Sequence, residues 1–238
     1  MKVDVLTYLH THGQLASLRA REARLSLPDL AEFIGQHIAR LDPCLGRLRY
    51  EMRDAAGRSI IRFPVEGRQR QAIAGELVLR AMRAGVLQAT KPGTHELEIV
   101  FNDGRARRYL EGEWLEDLVF EAVKHGGFDS CASNIALAWK DAPDREMNEI
   151  DIALVHNLRF FYLSCKTGSD ANQIKQHLYE LETLSDLAGG LFNHQILVAS
   201  SAKAVPAYLR RRMEALGIMY VGPQDLPHLG SRLQALIR

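Results

Sequence analysis

Two strand-like runs carry charges that a dry core would reject. "EIDIALV" at 149–155 holds Asp151, and "RFFYLSCK" at 159–166 ends in Lys166. A two-residue loop at Asn157-Leu158 puts Asp151 opposite Ser164, and a loop at His156-Asn157 puts it opposite Tyr162 instead. Either way the period of two gathers Asp151, Ser164 and Lys166 on one face. Ile150, Ile152 and Leu154 then share the other face with Phe161, Leu163 and Cys165. A three-residue loop would break this parity. An acid and a lysine on one sheet face suit phosphodiester hydrolysis. A hard divalent cation such as Mg²⁺ or Mn²⁺ takes one or two carboxylates plus water and phosphate oxygens. It polarises the scissile phosphate and acidifies its bound water. A lysine beside it orients that water or offsets charge developing on phosphorus. Glu116, on a preceding helix, and Glu149 are further carboxylates for such a site.

The elements that must hold these residues read as an ordered series. "GEWLEDLVFEAVKHGG" is a helix with Trp114, Leu115, Leu118, Val119 and Val123 on its apolar side. Strand-like "NIALAWK" and the two runs above follow. A helix over "DANQIKQHLYELETLSDLAGG" comes next, with Asp170 as N-cap and Gly189-Gly190 as stop. Then come the strand "HQILVASS", the helix "PAYLRRRMEALGI" and the short strand "MYVG". Strands in succession and then alternating with helices predict an α/β fold, a mixed sheet flanked on both faces. Gln173, Gln176, Tyr179 and Lys175 on the helix after Lys166 are candidates for contacts to phosphate or metal-bound water. The basic "LRRRMEA" is read as a solvated helix face.

The earlier residues read differently. A helix follows Pro28, with Leu30, Phe33, Ile34, His37, Ile38 and Leu41 at helical spacing, and "LRYEMRDAAGRSIIRF" suggests a hairpin around Ala56-Gly57. A second helix from Arg68 presents Ala72, Ile73, Leu77, Leu79 and Met82 and stops at Gly85. "ELEIVFNDGRARRYL" alternates around Asp103-Gly104, a two-residue turn signal. Helix then hairpin is the skeleton of a winged helix, and Arg105, Arg107 and Arg108 on its wing are candidates for nucleic-acid contact. The expected organisation is a helical segment at 1–66, a winged-helix-like module at 67–110 and a catalytic domain at 111–238.

The helix-β-β-β-α-β order, with an acid on the second strand and a lysine ending the third, resembles the PD-(D/E)xK, or restriction-endonuclease-like, nuclease superfamily. "GEWLE", "NEIDIAL" and "CKTG" look most like the nuclease domain of CRISPR ancillary effectors, over roughly residues 111–200. Those effectors join a CARF domain, which senses cyclic oligoadenylate, to a metal-dependent nuclease. The resemblance implies antiviral defence, a homodimer, a Mg²⁺ or Mn²⁺ cofactor, DNA or RNA as substrate, and Glu116, Asp151 and Lys166 as the catalytic set. Two departures stand out. The pattern has Glu or Asp where this chain has Ser164, so Glu149 or Glu180 moves into the site, the metal is held more weakly, or the fold is inactive and serves in binding or regulation. And the stretch before Arg68 shows no Rossmann-like alternation, so the sensor is expected to be a separate domain or protein.

Composition narrows the rest. The chain has 238 residues, thirty basic against twenty-nine acidic and 47% hydrophobic, so it can bury a real core and carries no global field. No apolar run approaches the roughly 20 residues that span a bilayer, and "MKVDVLTYLHTHG" lacks the features of a secretory signal. Cys44, Cys131 and Cys165 form no CxxC pair, and the histidines form no HxxxH, which argues against structural zinc and disulfides. A reducing cytoplasm is the expected setting.

Overall fold

The computed structural model describes residues 3–11, 15–18, 25–52, 61–64, 68–88, 96–139, 142–168, 171–187, 193–201 and 205–238. The chain divides into two units, one formed by Met1–Arg21 with Val119–Arg238 and the other by Glu22–Leu118.

The first unit is built on a six-stranded sheet in the order β1-β4-β5-β6-β7-β8. Its strands are β1 (Leu15–Leu18), β4 (Ser130–Trp139), β5 (Ala142–His156), β6 (Arg159–Lys166), β7 (Asn193–Ala199) and β8 (Ile218–Val221). β1, β4, β5 and β6 run antiparallel to their neighbours, while β6, β7 and β8 are parallel. Parallel neighbours need crossovers, which α7 (Ala171–Leu187) and α8 (Ala207–Ala215) supply. The mixed sheet flanked by helices is the fold class expected from the sequence.

Both faces of this sheet are dry. Ala153, Val155, Phe160, Tyr162 and Leu197 pack with Val5, Tyr8 and Leu9 of α1 (Val5–Thr11), with Ile174, Leu178 and Leu181 of α7, and with Leu209 and Met213 of α8. Tyr8 stacks on Phe160 at 4.7 Å between ring centroids, and the Tyr162 hydroxyl donates to the Leu181 carbonyl at 2.7 Å. The alternate residues Ile152, Leu154, Phe161, Leu163, Ile196 and Val198 are buried on the opposite side. α9 (Leu229–Ile237) is tied to the sheet by Arg159, whose guanidinium donates to the Ile237 carbonyl at 2.7 Å.

The β5–β6 hairpin turns at Asn157 and Leu158, both at positive φ (51° and 60°). Two such residues make the tight turn whose twist matches the strands, and its second position favours glycine. Leu158 is 65% exposed, so its side chain contributes little packing there. Leu158→Gly is therefore expected to stabilise the protein by roughly 0.5–1 kcal/mol, relief of left-handed strain outweighing glycine's extra chain entropy. A urea unfolding curve reads the change directly.

The second unit contains α2 (Pro28–Gln36), α3 (Ile38–Met52), β2 (Ile61–Pro64), α4 (Arg68–Arg83), β3 (Glu96–Ile99), α5 (Gly104–Arg108) and the start of α6 (Trp114–Lys124). A π-helical turn, Tyr109–Glu113, joins α5 to α6. Several expectations are corrected here. The helix after Pro28 is two helices that meet at His37. Residues 48–52, expected as a strand, continue α3, and β2 pairs antiparallel with β3 rather than with them. The Ala56-Gly57 turn lies outside the described residues. On α4 the buried positions are Ala74, Leu77, Val78 and Ala81, and Leu79 is exposed.

Asp103-Gly104 is not a hairpin turn. Asp103 is the N-cap of α5, its Oδ1 accepting the Arg105 and Ala106 amides at 2.9 and 2.8 Å. These amide bonds, led by that of Ala106, and the Arg105 charge hold the Asp103 carboxyl below its ordinary range. Among the described residues no hairpin wing follows α4, and the winged-helix module has no counterpart there. The division also departs from the expected 1–66, 67–110 and 111–238 organisation, because α1 and β1 belong with the large sheet.

Candidate active site

The β5–β6 register pairs His156 with Arg159 and runs to Ile152 with Leu163. One step further, Asp151 lies opposite Ser164, as the Asn157-Leu158 loop requires. There the carboxylate takes over from the backbone ladder. Asp151 Oδ2 accepts the Cys165 amide at 2.8 Å and lies 3.4 Å from the Ser164 hydroxyl and 3.9 Å from Lys166 Nζ. The Asp151 and Lys166 side chains are 16% and 26% exposed, so the pair is sheltered yet open to solvent. The Ser200 amide donates to the Lys166 carbonyl at 3.0 Å, which fixes the end of β6 beside β7.

The strand face is not continuous through Asp151. Ile150 belongs to the same core as Ala153 and Val155, although strict alternation sets it on the other side with Ile152 and Leu154. The same one-residue shift occurs on β4, where Ala132 packs against that core and Ile135 and Leu137 belong to it. Between the pairs Ser133–Ile152 and Ile135–Ile150 the ladder skips one step, at which Asn134 faces Asp151. Asn134 has φ 55°, in the left-handed region, so a local change of backbone direction accompanies the shift. This corrects the expected grouping of Ile150 with Ile152 and Leu154. It also sets Glu149, which pairs with Ala136, out of phase with Asp151.

The remaining sequence candidates are distributed as follows. Glu116 is a half-buried residue in the first turn of α6, in the Glu22–Leu118 unit. Glu180 is exposed on α7, where its oxygens meet His177 Nδ1 at 2.8 Å and the Gln176 amide at 3.5 Å. Lys175 is exposed on the same helix, and Gln173 lies in its first turn with its side chain outside the described residues. Arg105, Arg107 and Arg108 are ion-paired with Asp103, Glu111 and Glu113 at 3.1, 3.3 and 3.3 Å. On α8, Arg210 and Arg211 are exposed, while Arg212 lies 4.2 Å over the Tyr179 ring and 3.4 Å from Glu182. The hydrogen bond and charge of Arg212 lower the Tyr179 phenol's pKa.

Asn134 was missed by sequence reasoning. Its signal was an asparagine opening an otherwise apolar strand, a residue type depleted in strands and enriched where φ is positive.

The donor set suits a hard cation of the magnesium type. Asp151 Oδ1 has no hydrogen-bond partner among the described residues, and the serine hydroxyl and solvent supply neutral oxygens. No three His, Cys, Asp or Glu side chains among the described residues form a metal-binding group. Magnesium needs only one or two carboxylates and keeps several waters, so a single aspartate with neutral oxygens is compatible with it.

Comparison with known proteins bears on this arrangement. Residues 103–238 match the family described as Card1-like, endonuclease domain. Among solved structures, the chain is similar to protein VC1899 from Vibrio cholerae, with a TM-score of 0.73 and 25% identity over 99% of this chain and 61% of that one. Can2 from Sulfobacillus thermosulfidooxidans, solved in complex with cyclic tetra-adenylate, has the same fold, with a TM-score of 0.70 and 15% identity over 98% of this chain and 60% of that one. The chain thus spans about three fifths of the length of each. A comparison with curated proteins gave no match. The family match covers more than half of the chain, including strands β4 to β8 of the sheet and the Asp151–Lys166 hairpin. The chain belongs to the Card1-like endonuclease-domain family.

Proposed function

We propose that this protein is a metal-dependent endonuclease that hydrolyses phosphodiester bonds of DNA or RNA in CRISPR-linked antiviral defence. The observation that carries the reading is the approach of Asp151 and Lys166 to 3.9 Å at the solvent-accessible end of two paired strands. Asp151, anchored through Oδ2 to the Cys165 amide, is the carboxylate that would hold Mg²⁺ or Mn²⁺ together with water and phosphate oxygens. The cation would supply electrophilic activation of the phosphate. Lys166 places its ammonium beside the substrate, where it holds the attacking water and offsets negative charge on the transferring phosphoryl group. Ser164, opposite Asp151 and two residues before Lys166, donates to the carboxylate and adds no charge of its own.

The family resemblance supports Glu116 as a further carboxylate and a homodimer as the working form. A cyclic-nucleotide sensor would act from a separate domain or protein, as the partial coverage of Can2 suggests. Among the described residues, no helix is long and apolar enough to cross a membrane. A cytoplasmic setting remains part of the proposal.

The test is cleavage of plasmid DNA, single-stranded DNA and RNA with Mn²⁺ by the wild type and by Lys166→Ala and Glu116→Ala. Wild-type cleavage that falls about a hundredfold or more in Lys166→Ala supports the reading. A fall in Glu116→Ala supports a catalytic role for that carboxylate. Equal cleavage by wild type and Lys166→Ala would remove lysine from the mechanism. A second reading, a nuclease fold that binds nucleic acid without cutting it, is favoured by Ser164 standing where the superfamily has an acid. It predicts substrate retention on a gel with no cleavage under any divalent metal.

A further inference from the structure

The pair at Asp151 and Lys166 brings a single carboxylate, and Ser164 removes the acid that the superfamily pattern places beside it. A neutral oxygen in the right place would compensate in part. Hard cations accept amide carbonyl oxygens as readily as they accept water.

Asn134 meets this description. It occupies the skipped step of the β4–β5 ladder, directly across from Asp151. Its residue is 7% exposed, and its Oδ1 has no hydrogen-bond partner among the described residues. The side-chain nitrogen reaches the Ser133 hydroxyl at 3.5 Å, so the oxygen is the end left over. A buried amide oxygen without a partner is unfavourable and calls for a water, an ion or a functional role.

Backbone conformation alone does not explain the residue. Glycine satisfies a φ of 55° without burying an amide. The chain instead places a polar group in a strand interior, at the step where both β4 and β5 change phase.

Resting on the metal-dependent reading above, we propose that the Asn134 side-chain oxygen is an additional neutral ligand of the divalent cation held at Asp151. It takes part of the role that an acid at position 164 would have played. Asn134 thereby sets how tightly the site holds its metal.

The test is Mn²⁺ titration of the full chain, without nucleic acid, read by the electron paramagnetic resonance of free Mn²⁺. Wild type, Asp151→Asn, Asn134→Gly and Asn134→Asp are compared, and circular dichroism melts are recorded for each. Glycine and aspartate both tolerate the left-handed backbone, so both variants are expected to fold. Asn134→Gly is expected to weaken Mn²⁺ binding by about tenfold to a hundredfold. Asn134→Asp, which adds a charged oxygen, is expected to tighten it by about tenfold.

Wild-type affinity in both Asn134 variants, with binding lost in Asp151→Asn, overturns the Asn134 assignment and leaves the nuclease reading intact. No Mn²⁺ binding by the wild type above that of Asp151→Asn overturns both. Should Asn134→Gly melt early, Asn134→Asp decides the question, and Mn²⁺ binding no tighter than in the wild type overturns the Asn134 assignment.

Discussion

Asp151→Asn is expected to reduce metal-dependent cleavage by about a thousandfold while leaving the melting temperature within a few degrees of wild type. The two effects separate because the two carboxylate oxygens have different tasks. Oδ2 accepts the Cys165 amide at 2.8 Å, and an asparagine oxygen can accept the same bond. The other end becomes an NH₂ group, which donates and repels a cation. Asp151→Ala removes both functions. It leaves the Cys165 amide without its carboxylate partner, at a cost of about 1–3 kcal/mol, and leaves Lys166 without its nearest carboxylate. The alanine variant should therefore be inactive and less stable, and the asparagine variant inactive only. Paired cleavage assays and thermal melts check this, and an active Asp151→Asn would exclude the aspartate as a metal ligand.

A larger loss of stability is expected at a residue outside the chemistry. Asp117, in the Glu22–Leu118 unit, is 7% exposed and holds three groups. Oδ1 accepts the Ser26 hydroxyl at 2.9 Å, and Oδ2 accepts the Leu27 amide at 2.5 Å and lies 3.3 Å from the Tyr109 hydroxyl. Tyr109 is also 2.9 Å from the Leu27 carbonyl. Burial, with the Asp117 charge next, pushes the Tyr109 phenol far above its ordinary pKa, so it stays a neutral donor. Leu27 immediately precedes α2 and makes no side-chain cap there, so the carboxylate anchors the entry to that helix from ninety residues away in sequence. Asp117→Ala strands the Ser26 hydroxyl and the Leu27 amide at once, leaves Tyr109 only the Leu27 carbonyl, and is expected to cost about 3–5 kcal/mol. Urea unfolding measures the loss, and a change below about 1 kcal/mol would show that the network contributes little.

Much of this was legible in the sequence, for identifiable reasons. The β5–β6 hairpin could be placed because strict alternation on both strands left only the loop length to choose. The parallel crossovers could be placed because helices and strands alternate after Lys166. Asp103-Gly104 misled because aspartate before glycine serves a tight turn and a helix N-cap equally well. The helical run from Gly104 onward decides between them, and its weight is spread over many residues. The phase shift at Ile150 left no trace in the local pattern, since an isoleucine suits either face of a sheet buried on both sides. The pairing of β2 with β3 is non-local, which periodicity does not report. Glu116 sits on a helix as expected, and its function belongs to the proposal.

The early position of β1 has a consequence for how the molecule is made. The strand leaves the ribosome long before its partner residues, Ile135 to Ala138, which are more than a hundred residues behind it. Until they emerge, the apolar side chains of α1 have no sheet to cover, and the Glu22–Leu118 unit can fold while they wait. A nuclease fragment trimmed to begin at Val119 would lose this late closing step permanently. Its β4 edge, bare along Ile135–Ala138, would offer unpaired backbone to any neighbouring chain, and aggregation on expression would follow.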